Sequence, residues 1–235
     1  MRAIDDNLQA VRERIARAAA AAGRDPGSVT LLAVSKTQPA SFVAQAAAAG
    51  QRSFGENYVQ EAIEKMDAFA ATALAPSKTG VEWHLIGPLQ SNKTRIVAER
   101  FHWVQSLESE KVARRLSDQR PANLPPLNVL IQLNVSGEAS KSGIAPGDVL
   151  PLARAINTMP RLKLRGLMAI PEPGAGVARY RELKRLYDEL KDEFQFDTLS
   201  VGMSDDMENA IAGGSTMVRV GTAIFGARQK AASAA

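Results

Sequence analysis

Short β-prone runs alternate with helix-periodic runs about eight times along this chain, and that alternation constrains the fold more than any single residue. The strand candidates are "TLLAVS" (30–35), "RSFGEN" (52–57), "VEWHLIG" (81–87), "HWVQSL" (102–107), "LNVLIQLNV" (127–135), "LKLRGLMAI" (162–170), "TLSVGM" (198–203) and "TMVRVG" (216–221). A segment with apolar residues at helical spacing follows each of them. In the helix after the sixth run, Val177, Tyr180, Leu183, Tyr187 and Leu190 share one face, which reads as core packing. An amphipathic helix precedes the first unit, with Ile4, Leu8, Val11, Ile15, Ala18 and Ala22 on one side and Gly23 as its stop.

Strands joined by helices must run parallel, because each helix is a crossover. About eight such units in 235 residues fit a closed barrel better than an open doubly wound sheet. The expectation is therefore an α/β chain with a single-domain (β/α)8 barrel over 1–228 and an extra N-terminal helix. The tail 229–235 is expected to fray, and the loop "GEASKSG" (137–143) to be mobile.

Composition closes off several function classes. Lysine and arginine exceed the acids by only four, and no basic run is interleaved with aromatics, so nucleic acid is not expected as a partner. A small anionic ligand stays open. There is no cysteine and there are two histidines, so neither a disulfide framework nor a thiolate or His-rich metal site is expected. No run approaches the ~20 apolar residues of a membrane helix, and the charged, periodic amino terminus does not read as a signal peptide. The expected compartment is the cytoplasm.

Active residues of a parallel barrel sit at the carboxyl ends of its strands. Read in that way, one rim carries Ser35-Lys36-Thr37, Gly55-Glu56-Asn57, His84, Asn134, Met168, the "VGMSDD" loop and the "RVGT" segment. Such barrels often hold phosphate between the last two loops, where glycine lets backbone N–H groups approach an anion. Gly202 and Ser204 come from one of these loops, Gly221 and Thr222 from the other. Plain turn chemistry explains the same residues. Arg219 lies inside an apolar strand and needs an acceptor, either a ligand or an acid such as Glu56 or Asp206. Lys36 is either an exposed strand-end lysine or an amine in the barrel mouth, where burial would favour the neutral, nucleophilic form. An amine at one side and a phosphate cradle at the other suit a phosphorylated aldehyde. Pyridoxal phosphate and an aldolase's sugar phosphate both fit. His84 reads either as a site residue or as a hydrogen-bonded core histidine.

The motifs "LLAVSKTQPA", "FGENYVQEA", "WHLIGPLQSNK" and "LSVGMSDDMENAIAGGSTMVRVGTAIFGAR", taken in order, resemble the YggS/PROSC family of pyridoxal phosphate homeostasis proteins over nearly the whole chain. The resemblance implies a barrel like the N-terminal domain of alanine racemase. It also implies pyridoxal phosphate held as a Schiff base on Lys36, with Arg219 facing the pyridine nitrogen. Ser204, Gly221 and Thr222 then surround the phosphate, Asn57 sits near the ring, and His84 and Met168 complete the cofactor set. No metal and no catalytic residue are implied.

An arginine leaves the pyridine nitrogen unprotonated, because a guanidinium keeps its own proton. The ring is then a weaker electron sink than one paired with an aspartate. Alanine racemase-like enzymes add a second acid–base group from a further domain, which is not expected here, and Tyr58 is the one tyrosine near the rim. The expected function is storage, buffering or delivery of the cofactor, with apo-enzymes as transient recipients. The rivals are an amino-acid racemase or other pyridoxal phosphate enzyme, and a Schiff-base aldolase.

Overall fold

In the computed structural model, which describes residues 3–72, 80–136 and 142–226, the opening amphipathic run forms α1 (Ile4–Ala21). Ile4, Leu8, Val11 and Ile15 are buried along one stripe, and Asp5 and Asp6 occupy the first turn, where negative charge suits the helix dipole. Gly23 then takes a φ of 69°, a left-handed value that glycine adopts without a Cβ clash, and the helix is closed.

Eight strands follow: β1 (Thr30–Val34), β2 (Ser53–Glu56), β3 (Glu82–Leu85), β4 (Trp103–Leu107), β5 (Leu127–Leu133), β6 (Leu162–Ala169), β7 (Thr198–Met203) and β8 (Met217–Val220). All pair in parallel in sequence order, and β8 closes on β1. The helices between them are α2 (Ala40–Ala48), α3 (Val59–Ala70), α4 (Thr94–Arg100), α5 (Glu110–Gln119), α6 (Val149–Asn157), α7 (Val177–Phe194) and α8 (Met207–Ala212), and a short α9 (Thr222–Phe225) follows β8. The eight strands match the boundaries read from the sequence to within two residues. Single 3-10 turns at Ser91–Lys93 and Pro146–Asp148 lead into α4 and α6. Pro151 fits inside the first turn of α6, where its missing N–H would have no intrahelical partner. The expected tail 229–235 and most of the expected loop 137–143 lie outside the described residues.

Side chains divide cleanly across the barrel wall. On β3, Trp83 points outward and packs against Phe54 and against Phe69 of α3, with ring centroids 5.7 and 6.1 Å away. His84, one residue on, points inward and stacks on Trp103 at 5.0 Å. The main apolar core is the shell between strands and helices, to which α7 contributes Tyr180, Leu183, Tyr187, Leu190 and Phe194. Each such side chain contributes about 1.5–3 kcal/mol when fully buried. Inside the barrel the apolar cluster is small: Trp103, Leu130 and Met168. Beside it stand buried His84, Gln105, Ser200 and Arg219. A polar interior departs from the layers of branched apolar residues usual in this fold. Among the described residues no helix is long and apolar enough to cross a membrane.

Candidate functional site at the carboxyl ends of the strands

Lys36 lies two residues past the end of β1 and is half-buried. It carries the parity of Leu32 and Val34, which face the interior, whereas Ser35 faces outward toward α3. That outward side is tightly organised. Ser35 Oγ donates to Glu56 Oε1 at 2.7 Å, and Lys65 Nζ of α3 donates to the Ser35 carbonyl at 2.7 Å. Lys65 also pairs with Glu56 at 2.6 Å and with Glu61 at 2.9 Å. Glu61 in turn accepts the Thr37 N–H at 2.5 Å. Burial pushes the Glu56 carboxyl above the usual range, against the pull of Lys65. The chain on both sides of Lys36 is therefore clamped by one buried cluster.

Asn57 follows β2 directly, and its backbone is pressed against Gly87: a Cβ on Gly87 would fall 2.2 Å from the Asn57 carbonyl oxygen. Only glycine fits there, which accounts for the glycine in "HLIGP". Ser106 Oγ holds the Gly87 carbonyl at 2.6 Å from below. Asn57 Oδ1 is buried with no hydrogen-bond partner. Asn57 borders a cavity of about 740 Å³ that is also lined by Ile86, Gln132, Asn134, Ile170 and Asp206. Asp206 accepts from the Tyr180 hydroxyl at 2.6 Å; burial first, and then this bond, raises the phenol's pKa. Tyr58, Ile170 and Met203, the exposed large apolar residues among those described, all lie at this end of the barrel.

The last two loops meet as the rim reading requires. The register pairs Met203 with Arg219, so Ser204, one residue past β7, and Gly221, which caps α9 ahead of Thr222, come out on the same side. Ser204 is half-buried and Thr222 exposed. Gly202 has a separate reason to be glycine: its φ is 94°, and a Cβ would come within 2.4 Å of Ala210 on α8. Close helix packing explains it without an anion.

Arg219 is buried beneath this rim, level with Leu32 of β1. Nη1 donates to the Ser200 carbonyl at 2.6 Å and to Ser200 Oγ at 3.0 Å, and Nη2 donates to the Ala169 carbonyl at 2.9 Å. Neither acid named as a partner from the sequence forms an ion pair with it. Glu56 is held by Lys65, and Asp206 acts on Arg219 only through its field. Burial brings the guanidinium down to about 10, against the opposing influence of Asp206 and Tyr180. His84 and Met168 are fully buried in the barrel interior and do not border the cavity. Among the eight residues singled out from the sequence, Asn57 lines the cavity itself. Lys36, Ser204, Gly221 and Thr222 stand at the same strand ends, and Arg219, His84 and Met168 lie inside the barrel.

Lys65, Gln105 and Ser200 escaped the sequence reading. Lys65 had a signal: it sits among Ala62, Met66 and Phe69 on the apolar face of α3, where an unpaired lysine would not be tolerated. Gln105 and Ser200 are ordinary strand residues whose inward direction follows only from the barrel register.

The family described as "Alanine racemase, N-terminal domain" matches residues 7–229. The pyridoxal phosphate homeostasis protein of Escherichia coli K12 is 56% identical over 233 residues, covering 97% of this chain and 98% of that protein. Its counterpart in Pseudomonas aeruginosa is also 56% identical, over the full length of both. Among solved structures, PipY of Synechococcus elongatus with pyridoxal phosphate bound is 33% identical with a TM-score of 0.80, covering 95% of this chain and all of that one. An alanine racemase from Clostridium difficile shares the fold at 14% identity and a TM-score of 0.67, covering 86% of this chain and 53% of that one. The chain belongs to the family of pyridoxal phosphate homeostasis proteins, built on the barrel of the alanine racemase N-terminal domain.

Proposed function

We propose that this chain binds pyridoxal phosphate and serves its homeostasis by storing, buffering or delivering it. The observation that carries the reading is the arrangement around Arg219. A buried guanidinium with no carboxylate against it among the described residues lies beneath a rim bearing an amine, Lys36, and the loops of Ser204 and Gly221-Thr222. A ligand with an acceptor nitrogen at one place and a phosphate at another suits those donors. Asn57, which lines the cavity and whose buried Oδ1 has no partner, stands beside them.

When bound, pyridoxal phosphate supplies an aldehyde that condenses with a primary amine and releases water. Lys36 is the residue assigned to that attachment. Arg219 would donate to the pyridine nitrogen and keep it unprotonated. The Ser204 and Thr222 hydroxyls and the backbone at Gly221 hold the phosphate, and Asn57 flanks the ring. His84 and Met168 support the site from the interior. Apo-enzymes that need the cofactor are the recipients in this reading.

The visible absorption of the purified protein tests it, followed by borohydride reduction and peptide mapping. Reduction is expected to fix the cofactor on Lys36, and Lys36→Ala to abolish that adduct at stoichiometric cofactor. A colourless protein, or an adduct found chiefly on Lys93, overturns the assignment.

A further inference from the structure

Arg219 is always a donor, and the bonds behind it force one another in sequence. Its Nη1 donates to Ser200 Oγ, so the single hydroxyl proton must go elsewhere. It goes to Gln105 Oε1, 2.7 Å away. The Gln105 amide is thereby oriented, and its Nε2 faces His84 Nδ1 at 3.0 Å and Met217 Sδ at 3.2 Å. Both Nε2 partners must be acceptors, so His84 is neutral with its proton on Nε2. That nitrogen has no bond within hydrogen-bonding distance, and the Glu82 carboxylate stands 3.9 Å away toward the barrel floor. The environment agrees with a neutral ring: burial, with the nearby charges of His102 and Arg165, holds His84 well below its usual pKa. Gln105, Ser200 and His84 are fully buried, so water does not compete for any of these bonds.

We propose that Ser200 and Gln105, backed by neutral His84, are positioning residues that fix the guanidinium of Arg219 toward the pyridine nitrogen of the cofactor. The inference rests on the reading of Arg219 given above. The hydrogen count supports it. Two N–H bonds of Nη1 and one of Nη2 are taken by Ser200 and Ala169, which leaves Nε–H and one Nη2–H of the five among the described contacts. All donors in the chain run the same way, from Arg219 to the barrel floor, and hydrogen bonds aligned in that manner strengthen one another. Ser200 Oγ is therefore a better acceptor than an isolated hydroxyl, and the guanidinium plane is held by three bonds from one side.

The test compares pyridoxal phosphate with its 1-deaza analogue, in which carbon replaces the ring nitrogen and the phosphate and aldehyde are kept. Wild type is expected to prefer the natural cofactor by about tenfold to a hundredfold, the worth of one hydrogen bond from a charged donor. Arg219→Met should erase that preference. Ser200→Ala and Gln105→Leu should each cut it at least threefold and move the 15N resonance of ring-labelled cofactor away from its wild-type position. If Arg219→Met keeps the full preference, the assignment of Arg219 to the ring nitrogen falls and the positioning role with it. If Arg219→Met erases the preference while Ser200→Ala keeps both it and the wild-type 15N resonance, positioning alone is overturned. An equal loss of affinity for both ligands in the Ser200 variant also overturns it, because that is what general loosening of the barrel produces. Ser200→Ala removes a single hydroxyl, so it carries the test even if Gln105→Leu fails to fold.

Discussion

Lys65 and Arg219 are both buried cations in one barrel, and they are satisfied in opposite ways. Lys65 meets two carboxylates and a carbonyl within 2.9 Å. Arg219 meets two carbonyls and a hydroxyl, and no carboxylate within ion-pair distance among the described residues. A cation buried with its counter-charges is complete, and its use is to hold the elements that carry the acids. A cation buried among neutral acceptors is not complete in charge: Arg120 is held in that way by the carbonyls of Ala98, Phe101 and Pro125 away from the rim, whereas Arg219 lies directly beneath it. Lys65 thus belongs to the scaffold around Lys36, and Arg219 is the cation that the proposed ligand would use.

Removing each charge from the cofactor-free protein is the sharpest way to break this contrast. Lys65→Met leaves Glu56 buried without its cation, and losing one member of a buried pair costs about 3–5 kcal/mol. Arg219→Met leaves carbonyls short of donors but strands no charge, a loss of about 1–3 kcal/mol. Urea unfolding should rank the two variants in that order, and pyridoxal phosphate affinity in the reverse order. Adding Glu56→Leu to Lys65→Met should recover most of the stability, since an apolar pair of similar size often matches a buried ion pair. If Arg219→Met proves the more damaging to the empty protein, Arg219 is a structural cation after all.

The contrast also explains what the sequence revealed. The barrel was legible because β-prone and helix-periodic runs alternate, and parallel pairing leaves few other ways to close them. The strand-end positions of Lys36, Asn57, Ser204 and Gly221 were legible because each ends or directly follows a β-prone run, at the end where a barrel keeps its chemistry. The acceptors of Arg219 were not. Glu56 and Asp206 looked like partners from charge alone, yet Glu56 faces outward from β2 to Lys65, and Asp206 is occupied by Tyr180. Ser200 and Gln105 are 95 residues apart and meet only through the register of the closed sheet. Charge complementarity is readable in one dimension, whereas neutral acceptors for a buried arginine are supplied by the fold.

Acid should separate the two regions next. His84, linked to Arg219 through Gln105 and Ser200, and His102, just before β4, are held below 6.5 by burial. A histidine with a depressed pKa stabilises the fold above its unfolded value, and that contribution is lost as the pH falls from about 6.5, at up to about 1.4 kcal/mol per pH unit for each ring. On the Lys65 side, Glu56 is raised above 4.5. A carboxyl with a raised pKa contributes stability that is present below 4.5 and fades as the pH rises through its folded value. The two regions therefore tilt the profile in opposite directions. His84→Gln should flatten the loss between pH 6.5 and 5, and Glu56→Gln should not. Unfolding midpoints measured across that range check this; an unchanged slope in the His84 variant means that His84 takes up its proton at the same pH in the folded and unfolded chain.

The smallest expected effect lies where the Lys65 cluster touches Lys36. Thr37 has a φ of 62°, a left-handed conformation that costs a β-branched residue roughly 1–2 kcal/mol. Two bonds hold it there: its N–H to Glu61 and its Oγ1 to the Lys36 carbonyl at 2.6 Å. Thr37→Gly relieves the backbone and keeps the N–H bond, but it releases the Lys36 carbonyl and adds freedom to the unfolded chain. These terms oppose each other, so the stability of the empty protein should change by no more than about 1 kcal/mol. Binding should respond differently. With Lys36 less firmly placed, part of the cost of ordering a residue, about 1–2 kcal/mol, falls on the ligand, and pyridoxal phosphate affinity should drop by about threefold to tenfold. Equilibrium titration of the variant beside wild type reads this directly. Wild-type affinity together with a clear gain in stability would mean that the strain at Thr37 does nothing for Lys36, and that the Lys65 cluster supports the barrel wall rather than the site.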